Sequence, residues 1–73
     1  MSERKVLSPG VGKVVELLVD VGAAVAPSQQ LIVIESMKME IPLAAGHAGR
    51  VAAVAVAPGD LVQEGDLLLT IAE

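Results

Sequence analysis

The residues of this chain that could do chemistry lie in one segment near its middle, Glu-Ser-Met-Lys-Met-Glu at residues 35–40. Lys38 stands between Met37 and Met39, and the only other methionine of the 73-residue chain is Met1. Methionine is an adaptable apolar side chain that suits a surface gripped by a partner. We therefore expect Lys38 to be held out at a hairpin tip and modified, with both flanking methionines recognised by the modifying enzyme.

Two carboxylates flank this pattern, Glu35 and Glu40. They would form an acidic collar around the lysine, which a modifying enzyme could also recognise. An exposed lysine taken at random is usually an unmodified surface residue, and a methionine beside a strand is often part of the core. Two methionines around a single lysine favour modification over both of these interpretations.

Composition excludes several other kinds of function. Five Lys and Arg stand against nine Asp and Glu, and this net charge of −4 argues against binding of nucleic acid. The chain has no aromatic residue on which a base could stack, and no cysteine. With His47 as the single histidine, we expect no metal site and assign it to a turn. No Ser/His/Asp constellation and no phosphate-binding loop is visible, so we expect no catalytic residue.

The apolar runs are short. The longest, residues 51–57, falls far below the roughly 18 residues of a membrane span. The first residues contain no apolar core of a signal peptide. We expect a cytoplasmic protein without membrane association.

Short strands and tight turns are the elements that must position the lysine. The hydrophobic content of 53% includes no Phe, Tyr or Trp, so the core must be aliphatic and the domain thin. Residues 31–34 read as a buried β-strand, and residues 58–60, Pro-Gly-Asp, as a turn. Pro42 lacks an N–H group, which predicts an edge strand. We expect a single domain over residues 1–73.

An internal repeat organises these elements. Shifting the chain by 37 residues aligns residues 12–35 with 49–72, with identities at seven of 24 positions, among them Gly12 on Gly49 and Gly22 on Gly59. Glycines at matching turn positions serve a backbone need, so they weigh more than matching valines. Each copy would supply about four short strands and bury its apolar face against the other copy. The predicted fold is a flattened barrel or sandwich with a pseudo-two-fold axis.

The repeat also predicts where Lys38 lies. The junction between the two copies lies at residues 37–38, while the two chain ends must meet on the opposite side of the domain. Lys38 should therefore occupy a distinct pole, far from both chain ends.

The segment at 35–40 resembles the attachment signature of biotinyl domains, the biotin carboxyl carrier family. The resemblance covers nearly the whole chain, including residues 9–14, 19–22, 56–60, 65–68 and Ile71. It implies an all-β fold, a flattened eight-stranded antiparallel barrel of two four-stranded sheets. It also implies that Lys38, on the turn between the fourth and fifth strands, carries biotin in amide linkage.

The resemblance implies a set of partners. A biotin protein ligase, using ATP, would attach biotin to Lys38. A biotin carboxylase would carboxylate the cofactor, and the arm would carry the carboxyl group to a carboxyltransferase and an acceptor such as an acyl-CoA or a 2-oxo acid. The chain itself would be a non-catalytic carrier.

Some residues depart from the family pattern. Ser36 stands where the family usually has alanine. Ala23 and Ser28 stand where the second copy has the more usual Asp60 and Gly65, which predicts a less regular short strand in the first copy. No insertion resembles the projecting thumb of some bacterial acetyl-CoA carboxylase carriers, which disfavours that multisubunit enzyme as the parent. The Met-Ser-Glu start favours a free-standing carrier.

Two alternatives remain open. Lipoyl domains share the fold, and residues 39–42, Met-Glu-Ile-Pro, resemble theirs, so a lipoyl carrier modified at Lys38 is the first alternative. An unmodified adaptor of the same fold is the second.

Overall fold

The chain is built entirely of short strands and turns. The computed structural model describes residues 3–73, in which no helix occurs and hence no helix able to cross a membrane. The eight strands are β1 (Glu3–Leu7), β2 (Gly12–Leu17), β3 (Ala24–Val25), β4 (Gln30–Ser36), β5 (Met39–Ala44), β6 (Gly49–Val54), β7 (Leu61–Val62) and β8 (Leu67–Ala72).

The strands form two antiparallel four-stranded sheets, with strand orders β1-β8-β6-β3 and β5-β4-β2-β7. The predicted fold class, a flattened eight-stranded antiparallel barrel of two four-stranded sheets, is confirmed. Each sheet takes two strands from each copy of the repeat, because β3 and β7 pair with long strands of the opposite half, as β1 and β5 do. The two halves are therefore interleaved, and neither half has a sheet of its own.

The repeat is reproduced in the strand registers. Val14 lies opposite Ile34 in the first copy, and Val51 lies opposite Ile71 in the second, 37 residues later in each case. Both pairings carry a β-bulge immediately after these positions. The predicted pseudo-two-fold relation thus extends from the order of the strands to their individual residue pairs.

The core is wholly aliphatic and follows the same symmetry. Repeat-related residues fill it in pairs, for example Leu31 with Leu68 and Ile34 with Ile71, each 1% exposed or less. Burial of such a side chain contributes roughly 1.5–3 kcal/mol. The largest fully buried side chains are Leu31, Ile32, Ile34, Leu68, Leu69, Ile71, Val14 and Val51.

The repeated glycines serve two different needs. Gly22 and Gly59 lie in turns with φ of 93° and 97°, as predicted for turn glycines. Gly12 and Gly49, which were also expected at turn positions, instead begin strands β2 and β6. The reason for glycine there is close approach of the neighbouring strand, because a Cβ atom at Gly12 would lie 2.6 Å from the carbonyl oxygen of Glu35.

The expected irregularity of the first short strand is wrong. Strands β3 and β7 have two residues each and pair in equivalent registers. The turn before β3 closes through the backbone alone, with the Ala23 N–H donating to the Asp20 carbonyl at 3.0 Å. The second copy adds a side-chain bond, in which the Ala57 N–H donates to Asp60 Oδ2 at 2.9 Å. The backbone therefore specifies this turn without the aspartate.

Both ends of the described chain lie side by side. Glu3 pairs with Ala72 across β1 and β8, and Arg4 forms a salt bridge with Glu73. Strand β1 runs from this end of the domain towards the 8–11 loop, which contacts the β4–β5 hairpin. Strand β5, which contains Pro42, is an edge strand, as predicted from the missing N–H.

Candidate functional site

The site is the tip of the β4–β5 hairpin. Ser36 and Met39 form the last residue pair of the two strands, and Met37 and Lys38 alone make the loop. Their φ angles are 52° and 65°, and positive values at both central residues are the pattern of a type I′ turn. This turn matches the twist of the flanking strands, and Lys38 at its second central position is exposed.

The backbone conformation at the tip is unfavourable for the residues that occupy it. Type I′ turns prefer Asn-Gly or a similar pair, because a Cβ atom disfavours positive φ. Met37 and Lys38 are the only non-glycine residues with positive φ among those described. Strain of about 1 kcal/mol or more per residue of this kind is concentrated at functional sites. Something other than turn stability therefore explains the methionine and the lysine.

Both methionines of the tip face solvent. The exposed fraction is 93% for Met37 and 65% for Met39, so neither side chain belongs to the core. Lys38 between them is also exposed. This placement agrees with a surface that a partner grips, while recognition of the two methionines by a ligase stays a prediction.

The two glutamates of the tip lie directly opposite each other. Glu35 pairs with Glu40 across β4 and β5, and Lys13 of β2 lies opposite Glu35 on the other side. Like charges in this arrangement destabilise a sheet slightly. Both carboxylates are exposed, and neither forms a salt bridge within residues 3–73. They remain available to a cationic partner, as the sequence-based prediction of an acidic collar requires.

The chemistry that Lys38 can perform is acylation of its primary amine. Within the described part of the chain, no hydrogen bond or salt bridge engages its Nζ atom. A primary amine so exposed can be acylated by an activated carboxyl group, with loss of a proton and of the positive charge. Among residues 3–73 no side chain is bonded to the amine, so an acylation at Lys38 would need a carboxyl group that is already activated.

The tip is connected to a loop that sequence reasoning did not assign to the site. The Ser36 Oγ donates a hydrogen bond of 2.7 Å to the Val11 carbonyl oxygen. Val11 itself is 70% exposed beside the tip. The only sequence signal for this contact was the departure of Ser36 from the usual alanine. His47, predicted to be a turn residue, lies in the bend between β5 and β6. Lys38 lies at the other end of β5.

Two sheets related by a pseudo-two-fold axis, with one exposed lysine on the hairpin turn at the junction, define a carrier domain of the biotinyl and lipoyl type. The sequence matches the family described as biotin-requiring enzymes over residues 4–71. The chain belongs to this family.

Two relatives show the range of proteins in which similar sequences occur. The chain is 45% identical over 65 residues to a biotin carboxyl carrier protein of Streptococcus mutans, covering 89% of this chain and 50% of that protein. It is 46% identical over 61 residues to a biotinylated protein TB7.3 homologue of Mycobacterium leprae, covering 84% of this chain and 86% of that one. The chain thus spans about half the length of the first relative and most of the second.

Solved structures share the fold closely. A single-chain, multi-domain long-chain acyl-CoA carboxylase matches with a TM-score of 0.92 and 39% identity, covering 97% of this chain and 7% of that one. The lipoyl domain of the 2-oxoglutarate dehydrogenase complex of Azotobacter vinelandii matches with a TM-score of 0.84 and 25% identity, covering 94% and 95%. Fold alone therefore does not distinguish a biotin carrier from a lipoyl carrier.

Proposed function

We propose that this chain is the biotin carrier of a biotin-dependent carboxylase, with biotin in amide linkage to Lys38. The observation that supports it most strongly is the lysine on a two-residue turn between two exposed methionines. The sequence identity to a biotin carboxyl carrier protein and to a homologue of a biotinylated protein adds to this support.

The attachment chemistry follows from the free amine. The Lys38 nitrogen attacks the valerate carboxyl group of biotin, activated by a biotin protein ligase at the expense of ATP, and the activating group leaves. The amide nitrogen carries no charge, so the net charge changes from −4 to −5 with histidine neutral. We infer that Met37, Met39, Glu35 and Glu40 are recognised by the ligase.

The carrier then acts by transport. A biotin carboxylase carboxylates the tethered cofactor, and a carboxyltransferase passes the carboxyl group to an acceptor such as an acyl-CoA or a 2-oxo acid. Tethering raises the effective concentration of cofactor at both sites, commonly to the millimolar range for short flexible linkers. The carrier needs no acid, base or nucleophile beyond Lys38, so we assign it no catalytic role of its own.

Intact mass tests the proposal. The chain is expressed with a biotin ligase, a lipoate ligase and both cofactors, and we expect one biotin adduct that is absent from Lys38→Arg. Lys13→Arg is the matched control, because Lys13 is also an exposed lysine of the same sheet. This variant should retain the adduct. A lipoyl adduct alone, or no adduct on the protein from its native source, would overturn the proposal.

The lipoyl carrier is the second candidate. The structural likeness to a lipoyl domain favours it, as does the sequence of residues 39–42. The same measurement separates the two, because both ligases compete for Lys38 in one cell. An unmodified adaptor would carry neither group.

A further inference from the structure

The contact between Ser36 and Val11 extends beyond the regular sheet. The last residue pair between β2 and β4 is Lys13 opposite Glu35, so Ser36 and the tip lie past the end of this ladder. Strand β5 is an edge strand, and within residues 3–73 no other strand pairs with it on its outer side. The Ser36 Oγ bond to the Val11 carbonyl is thus the hydrogen bond that ties the outermost part of the hairpin to the chain just before β2.

The 8–11 loop that accepts this bond is itself fixed. Ser8 is 3% exposed, and its Oγ donates to the Gly10 carbonyl oxygen at 2.7 Å. Its backbone N–H donates to the Asp66 carbonyl at 2.8 Å, and its carbonyl accepts from the Gly65 N–H at 2.9 Å. Hydrogen bonds therefore run from the turn between β7 and β8, through the loop, to the residue just before the Met37–Lys38 turn.

The repeat shows that these hydroxyl contacts are not needed for the fold. The position related to Ser8 is Ala45, whose N–H donates to the Gln29 carbonyl at 2.9 Å, which duplicates the backbone bond of Ser8. The position related to Ser36 is Glu73. This N–H bond occurs in both halves, whereas the two serine hydroxyl bonds occur only at the end of the domain that bears Lys38, since neither Ala45 nor Glu73 has a hydroxyl group.

We propose that Ser36 is a positioning residue for the modification of Lys38, acting through its bond to the 8–11 loop. This inference rests on the proposed function. Met37 and Lys38 are held in an unfavourable backbone conformation, so the hairpin end has alternative conformations to adopt when it is released. The Ser36 bond raises the population in which Met37, Lys38 and Val11 present one fixed surface to the ligase.

Population shift predicts the kinetic signature. When the competent tip conformation is less populated, the apparent affinity for the ligase falls by the same fraction, while turnover of the bound complex is unchanged. A neutral hydrogen bond of ordinary strength corresponds to a change of about 2- to 10-fold. We therefore expect loss of the hydroxyl to raise the KM for the carrier by up to about this factor, with kcat unaltered.

The test uses Ser36→Thr and Ser36→Val, which are nearly isosteric with each other and differ in the hydroxyl group. Initial rates of biotinylation are measured with the purified unmodified chain and a biotin ligase, well below the melting temperature of each variant. The melting curve of each variant is recorded beside its KM, so that a change in stability is separated from a change in recognition. We expect Ser36→Thr to keep the wild-type KM and Ser36→Val to raise it. Ser28→Ala, an exposed serine outside the site, is the control.

Ser36→Ala provides a second measurement of the same contact. Amide exchange of residues 36–39 should be faster in Ser36→Ala than in wild type, while exchange of the core strands stays the same. Equal KM values for the Thr and Val variants would overturn the inference, as would a lower melting temperature without a change in KM. Wild type that accepts lipoate and no biotin would refute the proposed function instead, and the same variants then test Ser36 with the lipoate ligase.

Discussion

Gly12 and Gly49 occupy the same place in the two halves, and each lies against the backbone of the adjacent long strand. A Cβ atom would come within 2.6 Å of the Glu35 carbonyl oxygen at Gly12, and within 2.5 Å of the Ala72 carbonyl oxygen at Gly49. Only Gly12 has the hairpin turn with Lys38 beyond it. The fold thus provides two equal steric positions, of which one lies directly below the tip.

This relation yields a matched pair of variants. Gly12→Ala and Gly49→Ala should each lower the free energy of unfolding, by about 1–3 kcal/mol, because the neighbouring strand must move. Only Gly12→Ala should also slow biotinylation of the folded chain, since Glu35 directly precedes the tip. Urea denaturation and initial rates with the ligase measure both effects. Equal slowing by Gly49→Ala would show that stability alone controls modification.

The aliphatic core predicts a second symmetric pair. Leu31→Ala and Leu68→Ala should each lower the free energy of unfolding by about 2–5 kcal/mol, because both side chains are fully buried and leave a cavity. A chain of this length has a total of roughly 4–11 kcal/mol, so either variant loses a large part of it. Leu61→Ala is the control, since Leu61 is 81% exposed. A control as destabilised as the core variants would contradict this assignment of the core.

The turn after β6 predicts a smaller effect. Asp60→Ala removes the acceptor of the Ala57 N–H, which should cost about 1 kcal/mol in thermal or chemical unfolding. Asp60→Asn keeps an acceptor oxygen and should lose less. The related turn of the first copy forms without this side chain, so we expect Asp60→Ala to fold normally. Failure of this variant to fold would show that the aspartate specifies the turn.

The sequence sufficed for the strand order along the chain and for the position of Lys38, because the repeat is gapless and its turns carry Gly and Pro. It did not predict which strands pair. The short strands β3 and β7 cross to the opposite half, and two residues carry no pattern that could indicate a partner. The role of Gly12 was misassigned for a related reason, since close approach of a second strand depends on tertiary packing.

At the tip, too, some features could be predicted from the sequence and others could not. Residue types alone predicted an exposed lysine between methionines. The positive φ of Met37 and Lys38 could not be predicted, because neither residue type favours it and the turn length imposes it. The Ser36 bond to Val11 joins residues 25 positions apart, so no local pattern could indicate it.

Met37 separates the backbone requirement of the turn from the requirement of the modifying enzyme. Asparagine tolerates positive φ far better than methionine and is favoured at this position of a type I′ turn. Met37→Asn should therefore raise the free energy of unfolding, by about 0.5–1 kcal/mol, while slowing biotinylation. The increase reflects relief of strain, since the Met37 side chain is 93% exposed and contributes little packing. Urea denaturation and initial rates with the ligase measure the two effects.

Met37→Ala is the matched control for this variant, because it removes the same side chain and keeps a residue that disfavours positive φ. Its stability should lie within about 0.5 kcal/mol of wild type, as for other exposed positions, and Met39→Ala should behave alike. All three variants should be biotinylated more slowly than wild type. Loss of several kcal/mol in either alanine variant would mean that the methionines pack in the core. Wild-type rates in all three would mean that the ligase recognises Lys38 without them, and that the strain at Met37 serves some other purpose.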